Sequence, residues 1–286
     1  MDLPNDQKGV PATGHFYDAA FMEYAVLSNT LSARAIIQIL LNSLPIASVL
    51  DVGCATGTWL KEWKASGVAD IRGVDGDYVK RDQLQISPTE FVSHDLSLSF
   101  HLDRTFDLVQ SLEVAEHLAA ESAARFVESL TRHSSGLVLF SAAPPGQGGE
   151  FHINERPFEY WRTLFRQRRF VPFDCIRPRI ADRADISFWY RYNVLLYVRE
   201  DRMATLPRAI ASTRLRDGEP VPDISPVTQV PAAASAFFRS ADARPSQVAR
   251  IARLENLIRS RGHYRRHRAW LPTLVDARKL MIASIS

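Results

Sequence analysis

The sequence predicts an α/β fold, with a doubly wound, seven-stranded, mostly parallel sheet and a C-terminal helical appendage. Through the first 200 residues, short apolar runs alternate with segments of helical periodicity, which is typical of a parallel sheet covered by helices. Several runs end in a polar residue, and in such sheets ligands bind at the carboxyl ends of the strands. Beyond residue 200 the composition changes, with six prolines between residues 203 and 245.

The elements follow in order along the chain. Apolar residues three and four positions apart predict one or two helices over 16–44, and the β-branched run 48–53, which ends in glycine, predicts the first strand. The helical pattern returns in the segments 58–67, 112–133 and 157–168. The remaining strands are predicted over 71–75, 90–95, 106–111, 136–144, 170–176 and 189–198, and the last two are expected to pair as an antiparallel edge.

Composition excludes several classes of protein. Apolar residues make up 46% and charged residues 23% of the chain, which is ordinary for a globular protein with a sizeable core. Two cysteines, Cys54 and Cys175, cannot build a disulfide framework. The apolar runs are too short to span a bilayer, and the polar N-terminus does not resemble a signal peptide. We therefore expect a cytoplasmic protein rather than a secreted, fibrous or integral membrane one.

The chain divides into three predicted parts: a domain over 1–200, a Pro/Ala-rich linker or lid over 201–245, and a basic helical tail over 246–286. From Arg244 onward the formal net charge is +8, whereas the preceding residues carry −5. Such a tail suits contact with nucleic acid, acidic glycan, an anionic membrane surface or a protein, although most charge runs are solvated faces.

The sharpest motif is VLDVGCATGTWL, residues 49–60. A strand runs into Asp51, and a turn of small residues, Gly53, Ala55 and Gly57, then opens a helix and lets the backbone approach a ligand closely. The dinucleotide fingerprint is not met, because Ala55 replaces its second glycine and Thr58 its third. An anion at Asp51 would repel a pyrophosphate but suits a nucleoside that carries positive charge.

The next two strand ends are also acidic. Asp75 lies 18 residues after Gly57, where an acid that accepts both ribose hydroxyls is expected. Asp95, followed by Leu96, ends the third strand, where a carboxylate could accept from an exocyclic amine. Any one of these acids could be a loop cap, but three at successive strand ends around one turn of small residues favour a nucleoside site.

With these motifs, residues 15–200 resemble the class I S-adenosylmethionine-dependent methyltransferases. The resemblance implies a Rossmann-like methyltransferase fold and S-adenosyl-L-methionine as cofactor. By position, the resemblance assigns the cofactor loop to Asp51, Gly53, Cys54, Ala55 and Gly57. It assigns the ribose contact to Asp75 with Gly76, and the adenine contact to Asp95 with Leu96. The segment beside the methionine part of the cofactor is Ser111 to Glu113. Phe16 and Tyr17 resemble an aromatic pair near the cofactor.

A second cluster lies in LEVAEHL, residues 112–118. If 113–118 is helical, Glu113 faces both Glu116 and His117, and His152 follows the fifth strand, next to the fourth. This E-x-x-E-H with a later histidine is similar to the metal sites of small-RNA 2′-O-methyltransferases, and ubiquinone-type O-methyltransferases show a related motif. The resemblance implies a divalent ion held by Glu113, Glu116, His117 and His152.

An ion there would lower the pKa of a substrate hydroxyl, and mixed nitrogen and oxygen ligands suit manganese, iron or zinc better than magnesium. Two other interpretations stay open. One is a metal-free site in which His117 or His152 is the base, with Glu113 beside it, and the other is a structural role for the cluster.

The segment 146–161, GQGGEFHINERPFEYW, predicts a loop followed by a helix that begins near Pro157. Its polar residues Asn154, Glu155 and Arg156 could bind a polyhydroxylated substrate or cap the helix. Loops of this type resemble those of bacterial methyltransferases that act on sugars and glycans. Residues 189–192, WYRY, line the same pocket or belong to the core.

The sequence therefore predicts methyl transfer from S-adenosylmethionine to a hydroxyl of a sugar, glycan or secondary metabolite. An RNA 2′-O-methyltransferase that uses the basic tail is an alternative, and RNA binding would then weaken steeply with salt. A non-catalytic cofactor-binding scaffold is a third possibility, but it requires a broken cofactor loop, which the sequence does not show.

Overall fold

The computed structural model describes residues 19–147, 151–183 and 185–222. The predicted tail over 246–286, the linker beyond residue 222, and the pair Phe16 and Tyr17 lie outside these ranges. The strands are β1 Ser48–Val52, β2 Asp70–Asp75, β3 Phe91–Ser93, β4 Phe106–Leu112, β5 Ser134–Ser141, β6 Phe170–Phe173 and β7 Leu195–Arg199. The α-helices are α1 Ala19–Leu41, α2 Thr58–Ala65, α3 Ala123–Arg132, α4 Phe158–Gln167, α5 Arg177–Ile180, α6 Phe188–Asn193 and α7 Arg208–Ala211.

The strands form one sheet of seven in the order β3-β2-β1-β4-β5-β7-β6. β1 to β5 run parallel, and β7 lies antiparallel to both β5 and β6. This confirms the predicted doubly wound, mostly parallel sheet, with an antiparallel pair at its edge. All five residues of β1 are buried, as expected for a central parallel strand that helices cover on both faces.

The core forms two layers, one on each face of the sheet. The first includes Ile36 and Trp63, which are fully buried where α1 packs against α2 and α2 packs on β1 and β2. The second includes Phe126 and Phe165 of α3 and α4. None of the helices described combines the length and the apolar character that crossing a bilayer requires.

Two predicted elements were wrong. The segment 112–133 is not one helix: short 3₁₀ turns precede α3, and Glu113 has a φ of +56°, a left-handed conformation that an α-helix cannot contain. The segment 189–198 is not one strand either, because its first half lies in α6 and only Leu195–Arg199 is β7. The aromatic side chains of α6 pack in a core layer, and that packing overrides their β propensity.

Residues 213–222, which we call the strap, lie against β6. The backbone N–H of Leu215 donates to the carbonyl of Pro172 and that of Asp174 to the carbonyl of Thr213, both at 2.9 Å. The strap therefore covers part of an edge strand that would otherwise expose unpaired backbone groups.

Two buried arginines hold the strap through its carbonyl oxygens. Arg162 donates to the carbonyls of Arg216 and Glu219, and Arg177 donates to that of Pro222 at 2.8 Å. Arg177 also forms a bidentate ion pair with buried Asp174, at 2.9 and 2.7 Å. These contacts fix the first part of the predicted linker on the body of the protein.

Candidate active site

The turn between β1 and α2 has a left-handed backbone at three positions. Gly53, Ala55 and Gly57 have φ angles of 87°, 47° and 85°. The two glycines adopt this conformation without a steric penalty, whereas Ala55 does so at a cost of about 1–2 kcal/mol. The turn therefore keeps a conformation suited to close backbone approach even where alanine replaces glycine.

Close contacts fix the turn against its neighbours. A Cβ atom added to Gly53 would lie 2.3 Å from Cγ2 of Val114, and one added to Gly73 would lie 2.6 Å from Sγ of Cys54. Cys54 is buried, and burial raises the pKa of its thiol. Its side chain therefore packs rather than reacts.

Asp75 joins the end of β2 to the turn. Its Oδ2 accepts the N–H of Ala55 at 2.6 Å, and its Oδ1 accepts the N–H of Gly76 at 2.7 Å together with the hydroxyl of Tyr78. The Tyr78 ring is 75% exposed, so a side chain from the surface occupies an acceptor of the predicted ribose acid. Sequence reasoning missed Tyr78, although an aromatic residue three positions after the acid was available as a signal.

Asp51 lies buried at the end of β1. Burial raises the pKa of its carboxyl group to about 7; Gln110 partly offsets this rise, and the charge of Asp75 adds to it. A cationic ligand beside Asp51 would favour the ionised form.

The other predicted cofactor residues lie further along the sheet. Asp95 is exposed just after β3, and it accepts the N–H of Ser97 at 2.9 Å; the side chain and the backbone N–H of Ser97 both lower its pKa. Leu96 beside it is buried. Ser111 is fully buried on β4, and its hydroxyl has no hydrogen-bond partner in the part of the chain that the structure describes.

Glu113 is held by amide side chains rather than by the other three residues of the predicted metal cluster. Its carboxylate accepts from Nδ2 of Asn193 at 3.0 and 3.2 Å and from Nε2 of Gln147 at 2.9 Å. Its backbone N–H donates to Ser141, which maintains the left-handed turn. Sequence reasoning missed Asn193 and Gln147, because their positions depend on how α6 and the loop after β5 return to β4.

Glu116 is completely buried, and within the described ranges no donor forms a hydrogen bond of good geometry with its carboxylate oxygens, although the backbone N–H groups of Glu116 and Ala143 are close enough to act on its pKa. Burial, together with the nearby charge of Glu113, raises the pKa of Glu116 well above its ordinary value. A buried carboxylate without well-formed hydrogen bonds is costly, and a cation or a proton would compensate it.

His117 and His152 lie next to Glu116. Their rings pack edge to face with centroids 4.8 Å apart, and burial together with the charge of His152 lowers the pKa of His117. One ligand atom from each of Glu116, His117 and His152 lies within 4.8 Å of the others. The structure thus brings three of the four predicted ligands together without the helix that was expected to align them.

The loop that carries His152 is tied to the turn that carries Glu116. The backbone N–H groups of Ile153 and Asn154 both donate to the carbonyl of Glu116, at 2.9 and 3.0 Å. Asn154 is buried, and its Oδ1 accepts from Nε of Arg156 at 2.7 Å. These polar groups organise the loop internally.

Glu155 has the same internal role, because one oxygen lies 3.0 Å from Nδ1 of His152 and the other accepts the N–H of Gly146 at 2.7 Å. On either side of His152, Phe151 and Ile153 are 65% and 67% exposed. The surface beside the imidazoles is therefore apolar.

The aromatic residues of α6 lie mainly in the core. The Tyr190 hydroxyl contacts Nε1 of Trp59 at 3.4 Å and donates to Oδ1 of Asn29 at 3.0 Å. Burial raises the pKa of Tyr190, and the charges of Glu113 and Asp51 are close enough to contribute. Tyr190 thus packs between α2 and α1 behind the candidate site.

Several solved structures are similar to this chain. The magnesium protoporphyrin IX methyltransferase from Synechocystis PCC 6803 with bound SAM is 17% identical, with 65% of this chain and 86% of that chain covered and a TM-score of 0.47. The sugar N-methyltransferase from Streptoalloteichus sp ATCC 53650 is 18% identical, with 70% and 98% covered and a TM-score of 0.47. The amino pentose methyltransferase from Micromonospora echinaspora is 14% identical, with 64% and 92% covered and a TM-score of 0.41.

No curated protein matches the sequence. A family model described as a methyltransferase domain matches residues 21–176, more than half of the chain. The matched range includes β1 to β6, the turn of small residues and all the candidate site residues described above except Asn193 and Tyr190. The chain therefore belongs to the class I S-adenosylmethionine-dependent methyltransferases.

Proposed function

We propose that the chain methylates a hydroxyl group of a small molecule or sugar-containing metabolite, and that a divalent metal ion assists the transfer. The observation that carries this proposal is the convergence of Glu116, His117 and His152, in which the buried carboxylate of Glu116 forms no hydrogen bond of good geometry with any residue that the structure describes. Metal assistance and a hydroxyl acceptor belong together, because the ordinary pKa of an alcohol is too high for a histidine to deprotonate it easily.

The residues around the turn suit S-adenosylmethionine, which supplies an electrophilic methyl group on a cationic sulfur. The left-handed glycines let the backbone of the turn pack closely against Val114 and Ile86, and no cationic side chain of the described residues offsets the charge of buried Asp51. Asp75 and Asp95 would accept from the ribose and the adenine, and Gly76 would support Asp75 through its N–H. Correct placement of the acceptor oxygen relative to the methyl group then provides most of the catalysis.

The donor set of the cluster suits a transition metal such as manganese, iron or zinc better than magnesium. When bound, such an ion would supply Lewis-acid chemistry that lowers the pKa of a substrate hydroxyl close to it. Glu116 would contribute charge and the two imidazoles neutral nitrogen ligands, which the lowered pKa of His117 favours. Glu113, held by Asn193 and Gln147, would lie beside this set and complete its negative charge.

The surface next to the cluster suggests the kind of acceptor. Asn154, Glu155 and Arg156, which we expected to bind a polyhydroxylated substrate, form hydrogen bonds within the loop and with the turn after β4. Exposed Phe151 and Ile153 instead offer apolar contact beside His152. An acceptor with its hydroxyl next to an aromatic ring, or a sugar that presents its C–H face, fits this surface best.

The test is elemental analysis of purified protein, followed by assays of the EDTA-treated enzyme with radiolabelled S-adenosylmethionine and pools of phenols and aryl glycosides. We expect about one transition metal ion per chain in the untreated protein and restoration of methyl transfer by that metal. Glu116→Gln removes the buried charge with little change in shape and should abolish both. Glu121→Gln alters an exposed carboxylate nearby and serves as the matched control.

Full activity after EDTA treatment, or unchanged metal content in Glu116→Gln, would exclude metal assistance and leave a histidine base. Transfer of the methyl group to nitrogen rather than oxygen would exclude the proposed acceptor class.

A further inference from the structure

Glu155 contacts His152 from the side of the loop and not from the metal cluster. Its Oε1 lies 3.0 Å from Nδ1 of the imidazole, and the two side chains are only 17% and 9% exposed. Its Oε2 accepts the backbone N–H of Gly146 at 2.7 Å. The carboxylate of Glu155 therefore links Gly146, in the segment that follows β5, to His152.

This contact determines which nitrogen of His152 carries the proton. An ionised carboxylate can only accept hydrogen bonds, so beside ionised Glu155 the Nδ1 of His152 is the donor in the shared hydrogen bond. In a neutral imidazole the lone pair then lies on Nε2. Nε2 is thus the ring nitrogen of His152 that stays available to a metal ion shared with Glu116 and His117, whose ligand atoms lie within 4.8 Å of a nitrogen of this ring.

We propose that Glu155 is a positioning residue that fixes the Nδ1–H tautomer and the ring orientation of His152, and so prepares its Nε2 to bind the metal ion. The proposal deepens the function proposed above and rests on it for the identity of the ligand, whereas the tautomer can be measured without metal. Carboxylates that orient a metal-binding histidine typically change metal affinity by about 10- to 100-fold when they are removed.

The first measurement is a long-range ¹H–¹⁵N correlation spectrum of the metal-free, full-length protein with ¹⁵N-labelled histidine, recorded at a pH where free imidazoles are neutral. Comparison with the spectrum of His152→Gln assigns the resonances of His152. We expect a protonated Nδ1 and an unprotonated Nε2 in the wild type. In Glu155→Gln we expect a mixture of tautomers, because a carboxamide can both donate and accept.

The second measurement is a titration with Co²⁺, followed by its visible absorption. We expect Glu155→Gln to bind Co²⁺ about 10- to 100-fold more weakly than the wild type. Glu121→Gln should bind it with unchanged affinity, and both variants should keep the melting temperature of the metal-free protein.

Each outcome decides a separate point. A wild-type His152 that is protonated at Nε2, or a tautomer that Glu155→Gln leaves unchanged, would overturn the role of Glu155. An unchanged affinity for Co²⁺ in this variant would overturn its effect on metal binding. If the wild type binds no Co²⁺, the proposed metal site is wrong, and the effect of Glu155 on metal binding is wrong with it. The tautomer spectrum still shows whether Glu155 orients the ring of His152.

Discussion

The side-chain amide of Asn193 lies 3.0 and 3.2 Å from the two carboxylate oxygens of Glu113 and donates to them. The same nitrogen lies 2.7 Å from Oε1 of Gln147. Asn193 ends α6 and is only 2% exposed, whereas Glu113 lies in the left-handed turn after β4. The end of α6 therefore holds the carboxylate of Glu113, which directly follows β4.

Replacement of Asn193 by leucine removes this donor while the volume stays similar. We expect the free energy of unfolding to fall by about 1–3 kcal/mol, because Glu113 keeps its partly buried charge and loses a hydrogen bond. Methyl transfer should also fall, since Glu113 would no longer be held beside Glu116. Urea denaturation measures the first effect and the transfer assay the second.

Asn42→Leu is the control, because Asn42, the residue after α1, accepts a hydrogen bond from the side chain of Gln38 at the protein surface. We expect it to change stability by less than about 0.5 kcal/mol. Equal losses in the two variants would show that the bond to Glu113 contributes nothing specific.

Tyr78 and the predicted ribose compete for the same acceptor. The Tyr78 hydroxyl donates to Oδ1 of Asp75, so a ribose hydroxyl that binds this oxygen must displace it. Tyr78→Phe should therefore tighten the binding of S-adenosylhomocysteine by a few-fold up to about tenfold, which corresponds to one neutral hydrogen bond. Isothermal titration measures the change directly.

Asp75→Asn tests the other side of the same contact. It removes the charged acceptor and should weaken cofactor binding by more than about tenfold. If Tyr78→Phe instead weakens binding, the tyrosine stabilises the bound cofactor and does not compete with it.

The fold was predictable because local patterns decided most of it. The buried strand at Ser48–Val52, the turn of small residues and the acid at Asp75 follow from short apolar runs and their ends. α6 was not predictable in this way, because its aromatic residues have high β propensity and become helical only through their packing against α1 and α2.

The candidate site shows the same division. Glu116, His117 and His152 were selected by residue type, and their convergence required only that the loop after β5 return to β4. The contacts of Asn193 with Glu113 and Gln147 depend on long-range geometry that spacing along the chain does not encode, whereas the contact from Glu155 to His152 is local and depends on the conformation of the loop. The left-handed Glu113 is a local strain that the bonds to Ser141 maintain, and no residue preference indicates it.

His133 should make the stability of the fold depend on pH. It is fully buried, its Nδ1 lies 2.7 Å from the carbonyl of Ser129, and its Nε2 accepts the N–H of Leu102 at 2.8 Å. Burial lowers its pKa below the ordinary 6.5, and nearby His101 and Arg132 act in the same direction. The unfolded chain then binds the proton more readily, so this contribution is present above pH 6.5 and is lost as the pH falls through the depressed value.

His133→Gln removes the imidazole that titrates. The variant should therefore lose less free energy of unfolding between pH 7 and pH 5 than the wild type does. Buried Asp51 and Glu116 have raised pKa values and act in the opposite sense, so the difference between variant and wild type isolates His133. Denaturation at a series of pH values measures it. Parallel pH profiles for wild type and His133→Gln would contradict the prediction.

The strap should be part of the folded unit, although its composition predicts a linker. A chain that ends at Glu200 loses the carbonyl acceptors of buried Arg162 and Arg177, and it uncovers the core contacts of Ile210 and Leu215. A chain that ends at residue 222 keeps all these contacts.

We therefore expect the chain that ends at Glu200 to melt at a lower temperature than the one that ends at residue 222, or to fail to fold. Each buried donor that loses its acceptor costs about 1–3 kcal/mol. Leu215→Ser in the full chain gives a second measure, because it weakens the strap without removing it and should lower the melting temperature by several degrees. If both shortened chains melt at the same temperature, the arginine contacts do not hold the strap, and residues 201–222 act as the linker that their composition suggests.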